Sequence, residues 1–305
     1  AALKGLMAGA MPAWRALADI LPGEPLLRES GHLVLWEDEA GAAAGLAGWQ
    51  AADTGTASFA SASAAELSAV AQVAKGAIAG IRFAGTAQMR SHPRLMAGLR
   101  QALLDAGGRI EQGVATTRRL GDRIAVSLNG DDLGANRTIL VAAGARSGEL
   151  MRAAGHRAPL VAERGYHLRW QAAGWPGDLP PLVFEQRSLI VAKFEGYVQA
   201  SSFVEFARFR DPPDPGKWNR LERHIRELGL PVDGDFTRWM GARPTLPDYL
   251  PAIGRSARVK NLCYAFGHQH LGLTLAPVTA QLLVQLADGG EPGLAAFDIE
   301  RFRRD

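Results

Sequence analysis

The sequence predicts an α/β part interleaved with an α+β part, and three observations predict it. Helical and extended patterns alternate from residue 3 to residue 143, strand patterns dominate 166–206, and a last apolar strand feeds a closing helix over 261–286. At 305 residues the chain exceeds what one hydrophobic core serves comfortably, so two units are expected. The boundaries fall at 23–91 with 156–253 for the α+β unit and 92–155 with 254–305 for the α/β unit, residues 1–22 forming a helix that packs on the latter.

Each element has a local reason. Leu6, Met7, Met11, Trp14, Leu17 and Ile20 recur mostly at three- and four-residue intervals, an amphipathic helix stopped by Pro22 and Gly23. Gly31 to Trp36 reads as a strand, Ala40 to Ala52 as a helix of small side chains, and Ser58 to Ser63 as a loop. A short helix over Ala64 to Val73 and a strand over Gly80 to Phe83 lead to His92 and Pro93, where proline suits a first helical turn. Leu95, Leu99, Leu103 and Ala106 continue that helix to Gly107 and Gly108, after which Arg109 to Val114 is expected to be extended. Arg123 to Leu128 with the Asn129-Gly130 turn predicts a hairpin, and Arg137 to Ala143 a strand buried on both faces. Tyr166 to Trp170, Leu182 to Glu185, Ser188 to Phe194 and Tyr197 to Phe206 then predict an antiparallel sheet, Trp218 to Leu228 a helix, Asn261 to Phe266 a strand, and Val278 to Leu286 the closing helix before Gly289 and Gly290.

Composition removes several function classes. A 47% hydrophobic and 21% charged chain with net charge +3 is ordinary for a globular protein, and its 34 basic and 31 acidic residues are spread too evenly for a nucleic-acid footprint. Arg208, Arg210, Arg301, Arg303 and Arg304 are locally basic and read as solvated surface. Cys263 is the only cysteine, which rules out an intrachain disulfide or thiolate cage and fits a reducing, cytoplasmic setting, at most peripheral at an inner membrane. No transmembrane segment is expected, the nearest apolar run being Thr138 to Ala143. No initiator methionine or signal pattern opens the chain, which reads as a portion of a longer gene product.

Stand-alone motifs narrow the field further. The chain contains no G-x-G-x-x-G, G-x-x-x-x-G-K-[ST], H-E-x-x-H or paired C-x-x-C. Gly144-Ala145-Arg146-Ser147-Gly148 approaches a nucleophile elbow, yet its serine stands one residue late, and Ser147 is better read as a helix N-cap. His268 and His270 lack a third ligand at a supporting interval, so no metal is expected. Between Gly267 and Gly272 they suit polar contacts around a bound ring, because glycines permit close backbone approach and the helix start at Leu271 to Thr274 presents a positive dipole end. Arg243, between Gly241 and Pro244, can grip a carboxylate with two parallel hydrogen bonds or form an ordinary surface pair, and Tyr166 reads alone as a half-buried strand aromatic.

Four ordered blocks carry a resemblance: Val141 to Ser147, Pro159 to His167, Arg243-Pro244-Thr245 with Pro247-Asp248, Pro251 and Ile253-Gly254, and Gly267-His268 to Leu273-Thr274. Together they resemble the D-amino acid oxidase superfamily of FAD-dependent enzymes, nearest its bacterial D-amino acid dehydrogenase branch, over essentially the whole chain. The resemblance implies an FAD-binding Rossmann-like domain lacking its first βαβ segment, interleaved with an antiparallel-sheet substrate domain. It also implies oxidation of a D-amino acid, or a similar small amino acid, by hydride transfer from the α-carbon to flavin N5, with hydrolysis of the imine to a 2-oxo acid and ammonia. Electrons would pass to a respiratory acceptor or oxygen. By position, Arg243 would hold the substrate carboxylate with Tyr166 and His270 lining the pocket. Gly241, Gly267, His268, Gly272, Leu273 and Thr274 would lie at the flavin ring, and Val114, Ala143 and Gly144 at the adenosine half. No catalytic residue beyond the flavin is required.

Departures from the family pattern sharpen the expectations. The family's opening strand, glycine-rich turn and acidic ribose ligand have no counterpart in this chain. Arg146 stands where tryptophan is usual, Ser202-Phe203 where glycine and threonine are usual, and His92 in place of an aspartate. A rival reading follows from the missing phosphate turn: a remnant domain that binds no FAD and acts, if at all, as a binding module.

Overall fold

A computed structural model describes residues 2–303, so Arg304 lies outside the described residues. An eight-stranded sheet runs in the order Asp233–Thr245, Val161–Gln171, Tyr197–Phe206, Leu189–Phe194, Leu182–Phe184, His32–Trp36, Ala79–Ala84, Ser58–Ser61. Its neighbours are antiparallel except for Leu182–Phe184 beside His32–Trp36. A second sheet of three strands places Leu262–Phe266 between Ala252–Arg255 and Ile139–Val141, the latter pairing being parallel. A third sheet combines Ala115–Leu120, Arg123–Leu128 and Asp131–Asp132.

Among the described residues, seven α-helices complete the frame: α1 Ala2–Ile20, α2 Glu39–Ala51, α3 Ala64–Ala71, α4 His92–Asp105, α5 Ser147–Ala153, α6 Pro215–Glu227 and α7 Gly272–Ala287. On one face of the large sheet, Leu33, Leu35, Tyr166, Leu168 and Trp170 pack with Val70 of α3 and with Trp218, Leu221 and Ile225 of α6. Period-two alternation explains the other face, where Val34, Trp36, Ile81 and Phe83 meet Ala42, Leu46 and Trp49 of α2. There the Glu185 carboxylate accepts from both indole N–H groups, of Trp36 and of Trp49. α1 lies along α7, close enough that a Cβ on Gly9 would sit 3.0 Å from Val278 Cγ2. Trp14 Nε1 fastens the pair by donating to the carbonyls of Leu273 at 3.2 Å and Thr274 at 3.0 Å.

Most predicted helices and strands are present, and the departures have physical causes. Ser58–Ser61 is a strand, its small residues tolerated because it forms a sheet edge. Arg109 to Val114 is irregular; the strand begins at Ala115, where pairing with Arg123–Leu128 starts. Ile139–Val141 is an edge strand with Leu140 48% exposed, which corrects burial on both faces. Ser147 is no N-cap: Arg146 holds that position without a side-chain bond, and the Ser147 hydroxyl is buried without a partner among the described residues. Against the expectation of no spanning stretch, Gln269–Ala287 is long and apolar enough by length and composition, with mean hydropathy 1.3; in the fold it packs on α1 and Ala252–Arg255.

One buried amide joins the second and third sheets. Asn261 Nδ2 donates to the carbonyls of Ile124, Ala135 and Arg137, and its Oδ1 accepts from Ile124 N–H at 2.9 Å. Removing it deprives Ile124 of the third sheet and the Ala135 and Arg137 carbonyls that lead into Ile139–Val141 of their partner, so Asn261→Ala is expected to destabilise by about 3 kcal/mol. A urea midpoint unchanged from the parent would remove Asn261 from this role.

Candidate functional site

The site is built on the strand pair Val161–Gln171 and Asp233–Thr245, whose register sets Glu163 opposite Arg243, Gly165 opposite Gly241 and His167 opposite Trp239. Alternation puts these six residues on one face. Neither glycine has room for a side chain, because a Cβ on Gly165 would sit 2.2 Å from Arg243 Nη2 and one on Gly241 would sit 1.9 Å from the Trp239 ring. Guanidinium and indole therefore lie flat across a floor of bare backbone. Trp239 is stacked on His167, with centroids 4.6 Å apart and planes 11° apart.

Arg243 is half-buried and donates from Nη1 to the carbonyl of Phe203 at 3.1 Å. Phe203 reaches that orientation with φ 70, in the left-handed region, beside a register shift between Arg164 and Tyr166. Burial pulls the Arg243 pKa below its ordinary value while nearby Glu163 acts the other way. Glu163 is itself buried, and its Oε1 accepts from the Tyr249 hydroxyl at 2.9 Å. Arg243 makes no ion pair among the described residues, so its charge is held by a carbonyl and left available.

The turn before α7 reaches this strand pair through a bridge between Thr245 and His268. Gly267 adopts φ 82, and a Cβ there would press into Leu246 Cδ1 at 2.6 Å. Gln269 also takes positive φ, at 53, and donates to the Tyr249 carbonyl. α7 starts at Gly272 with no side-chain cap, directly after a single 3-10 turn over Gln269–Leu271. On its flank a cavity of about 440 Å³ is lined by Met7, Met11, Trp14, Met89, Leu273 and Thr274 among others.

The structure brings together only part of the residues singled out in the sequence. Arg243, Gly241, Gly267 and His270 surround one region, His270 exposed at its rim with its pKa lowered by partial burial and then by Arg243. Gly272, Leu273 and Thr274 form the α7 start. His268 turns inward, Nε2 3.1 Å from Thr279 Oγ1, and burial holds its pKa at about 4. Tyr166 points to the opposite face: its hydroxyl donates to Glu205 at 2.7 Å, accepts from Asp214 N–H at 3.0 Å, and its ring packs edge-on against Trp218. It is a core residue, three positions from Glu163 and so of opposite parity. Val114 is 71% exposed next to the third sheet, whereas Ala143 and Gly144 follow the edge strand Ile139–Val141 and lead into the turn Gly144–Arg146, which packs against Asp233–Thr245. Trp239, His167, Glu163 and Tyr249 were not singled out, and Phe203 stood out only as a departure from the family pattern. The i, i+2, i+4 spacing of Trp239, Gly241 and Arg243 was the available signal.

No metal-holding group of His, Cys, Asp and Glu occurs among the described residues. For a flavin ring the residues present fit: a glycine floor, an uncapped helix start and the buried, unpartnered Thr245 hydroxyl border one region.

An antiparallel roof over the start of a long helix defines a class already seen in solved structures. Glycine oxidase from Geobacillus kaustophilus superposes with TM-score 0.80 at 20% identity, over 98% of this chain and 82% of that one. Iminodiacetate oxidase from Chelativorans gives TM-score 0.79 at 21% identity, over 96% and 83%. Residues 1–286 match the DAO family model, described as FAD dependent oxidoreductase, and the chain belongs to that family. FAD is the cofactor of this family. A D-amino-acid oxidase from Bradyrhizobium diazoefficiens is 31% identical over 216 residues, 68% of this chain and 51% of that protein. A glycine oxidase from Pseudomonas aeruginosa is 30% identical, over 70% of this chain and 59% of that protein. The chain thus spans little more than half the length of these relatives.

Two predictions follow from the geometry. Gly165→Ala displaces the Arg243 guanidinium and is expected to weaken binding of a small carboxylate at least about tenfold, in keeping with loss of a charged hydrogen bond; an unaltered dissociation constant in equilibrium titration would dismiss the floor. All seven histidines have lowered pKa values, His167 and His268 to about 4. Unfolding returns them to about 6.5, so the unfolded chain binds more protons between these limits and stability falls as pH drops from about 6.5 to 4. The slope is up to about 1.4 kcal/mol per pH unit for each histidine; urea midpoints that stay level over that window would contradict the assignment.

Proposed function

We propose that the chain carries the substrate-facing part of an FAD-dependent oxidoreductase that oxidises a small, D-configured or achiral amino acid to the corresponding 2-oxo acid. One observation carries the reading: the half-buried Arg243, laid over the Gly165–Gly241 floor and tied only to a carbonyl, keeps its charge for an incoming carboxylate. Relatives named D-amino-acid oxidase and glycine oxidase support this substrate class.

Oxidation removes two electrons, the α-hydrogen and one N–H proton from the amino acid, and water then displaces the imine nitrogen as ammonia. Bound FAD supplies the two-electron acceptor. The chain's own contribution is placement. Arg243 fixes the carboxylate end with two parallel donors, and the Phe203 carbonyl stops the guanidinium from rotating away. Trp239 and the stacked, neutral His167 form an uncharged wall beside it. Glu163, engaged by Tyr249, offsets part of the Arg243 charge without competing for its donors. The first turn of α7 sets its positive dipole end toward the region where negative charge grows.

Arg243→Ala is expected to raise the half-saturating amino-acid concentration by roughly 30- to 1000-fold, the equivalent of about 2–4 kcal/mol, while the flavin absorbance gained on FAD addition stays the same. Arg243→Lys recovers the charge but not the paired donors, and so part of the loss. An unchanged Michaelis constant for Arg243→Ala would remove the residue from carboxylate binding.

A further inference from the structure

A second concentration of charge lies at the far end of the three-stranded sheet. The strand Leu262–Phe266 finishes at the α7 turn, and the Ser256-to-Asn261 turn precedes its start, roughly 17 Å away by strand rise. Around this turn two hollows share Gly155 and Arg157. One, of about 290 Å³, is lined also by Arg258, Glu300 and Arg303; the other, of about 490 Å³, by Arg152 and His156. Arg119 lies across Gly155, whose φ is 87 and whose Cβ would sit 2.5 Å from Arg119 Nη1.

We propose that Arg119, Arg152, Arg157, Arg258 and Arg303 form a binding site for a phosphate-bearing anion, separate from the Arg243 region. Glu300 is the only carboxylate on the two linings, and its Oε1 is taken by His156 Nδ1 at 2.7 Å and Arg258 Nε at 3.1 Å. Carbonyls hold two of the other arginines without neutralising them: Arg119 Nε donates to Gly121 at 2.9 Å, and Arg157 Nη1 to Phe302 at 3.2 Å. Among the described residues, five guanidinium groups stand against one carboxylate on these walls, so like charges gather there at a cost that a multiply charged anion relieves.

The frame beneath is rigid. Ser256 Oγ accepts from the N–H groups of Arg258 at 3.1 Å and Val259 at 2.8 Å, which leaves its proton for His156 Nε2 at 2.9 Å. His156 Nδ1 in turn lies 2.7 Å from Glu300 Oε1 and 2.9 Å from Arg258 Nη2, which draws imidazole, carboxylate and guanidinium into one cluster. This Ser–His–Glu chain has the order of a hydrolytic triad, but the hydroxyl is buried and both its lone pairs are occupied, so its role is to hold Arg258 in place. Burial first, and then the fields of Arg258 and Arg119, lower the His156 pKa against the pull of Glu300, so an anion that neutralises the arginines also raises it.

Inorganic pyrophosphate titrated into the full chain by calorimetry, and followed through the His156 ring resonance, tests the site. Expected are saturable binding, an upward shift of the His156 titration midpoint, and at least tenfold weaker binding in Arg152→Gln/Arg157→Gln, two exposed positions whose change leaves the thermal midpoint in place. Arg157→Lys retains part of the affinity. Vesicles of phosphatidylglycerol in phosphatidylcholine distinguish the phosphate's source: co-sedimentation lost in the double variant assigns a lipid headgroup, and pyrophosphate binding without co-sedimentation assigns a soluble phosphate. Binding of pyrophosphate and vesicles that is absent from the parent, or equal in parent and double variant, overturns the proposal.

Discussion

Two glycines facing each other across adjacent strands make the rest of the site possible. At Gly165 and Gly241 the sheet loses the layer of side chains that covers a β-surface, and the long side chains of Arg243 and Trp239 fold down into the gap. A methyl group at either position would lift one of them off the floor. The geometry also requires Phe203 to hold a left-handed backbone conformation that costs a bulky residue on the order of 1–2 kcal/mol, a cost met by the pairing on either side of the bulge. Backbone shape rather than side-chain chemistry is thus the scarce resource here.

The same strands divide their two faces between stability and binding. Tyr166, Leu168 and Trp170 anchor one face to α6, and the Tyr166 hydroxyl with Glu205 and Arg164 satisfies a buried polar network there. That face immobilises the pair of strands, so Arg243 and Trp239 on the other side inherit fixed positions. Electrostatics follows the same division: His167 is held neutral by burial and the field of Arg169, which leaves Arg243 as the cation beside an uncharged aromatic wall.

Legibility from sequence tracks how local each cause is. Helices α1, α4 and α6 announce themselves through apolar spacing and through Pro22, Pro93 and Trp218, and the apolar strands Leu189–Phe194 and Leu262–Phe266 are equally plain. Asp233–Thr245 is hidden, since Gly241 and Pro244 argue against a strand; both are tolerated because it lies at the sheet edge. Arg243 was visible as a constrained guanidinium, but its setting was not, because the partner glycine lies 78 positions earlier (243 − 165) and only the register joins them. Tyr166 shows the converse. Its neighbourhood in the chain is that of the site, yet one step of parity places it in the core.

Charge illustrates why totals mislead. With 34 basic and 31 acidic residues the chain carries little excess, and the C-terminal arginines read as uniform solvated surface. The fold separates them: Arg301 is absorbed by Asp248 at 2.6 Å and by the carbonyls of Leu250 and Pro251, whereas Arg303 joins Arg157 and Arg258 around one hollow. Potential depends on where charges converge and on what solvent can reach them, not on their sum. Residues separated by as many as 184 positions (303 − 119) therefore create a field at one end of the small sheet. The strand Leu262–Phe266 spans the interval between this end and the Arg243 region, roughly 17 Å by strand rise, so solvent screening weakens the coupling between the two cationic regions.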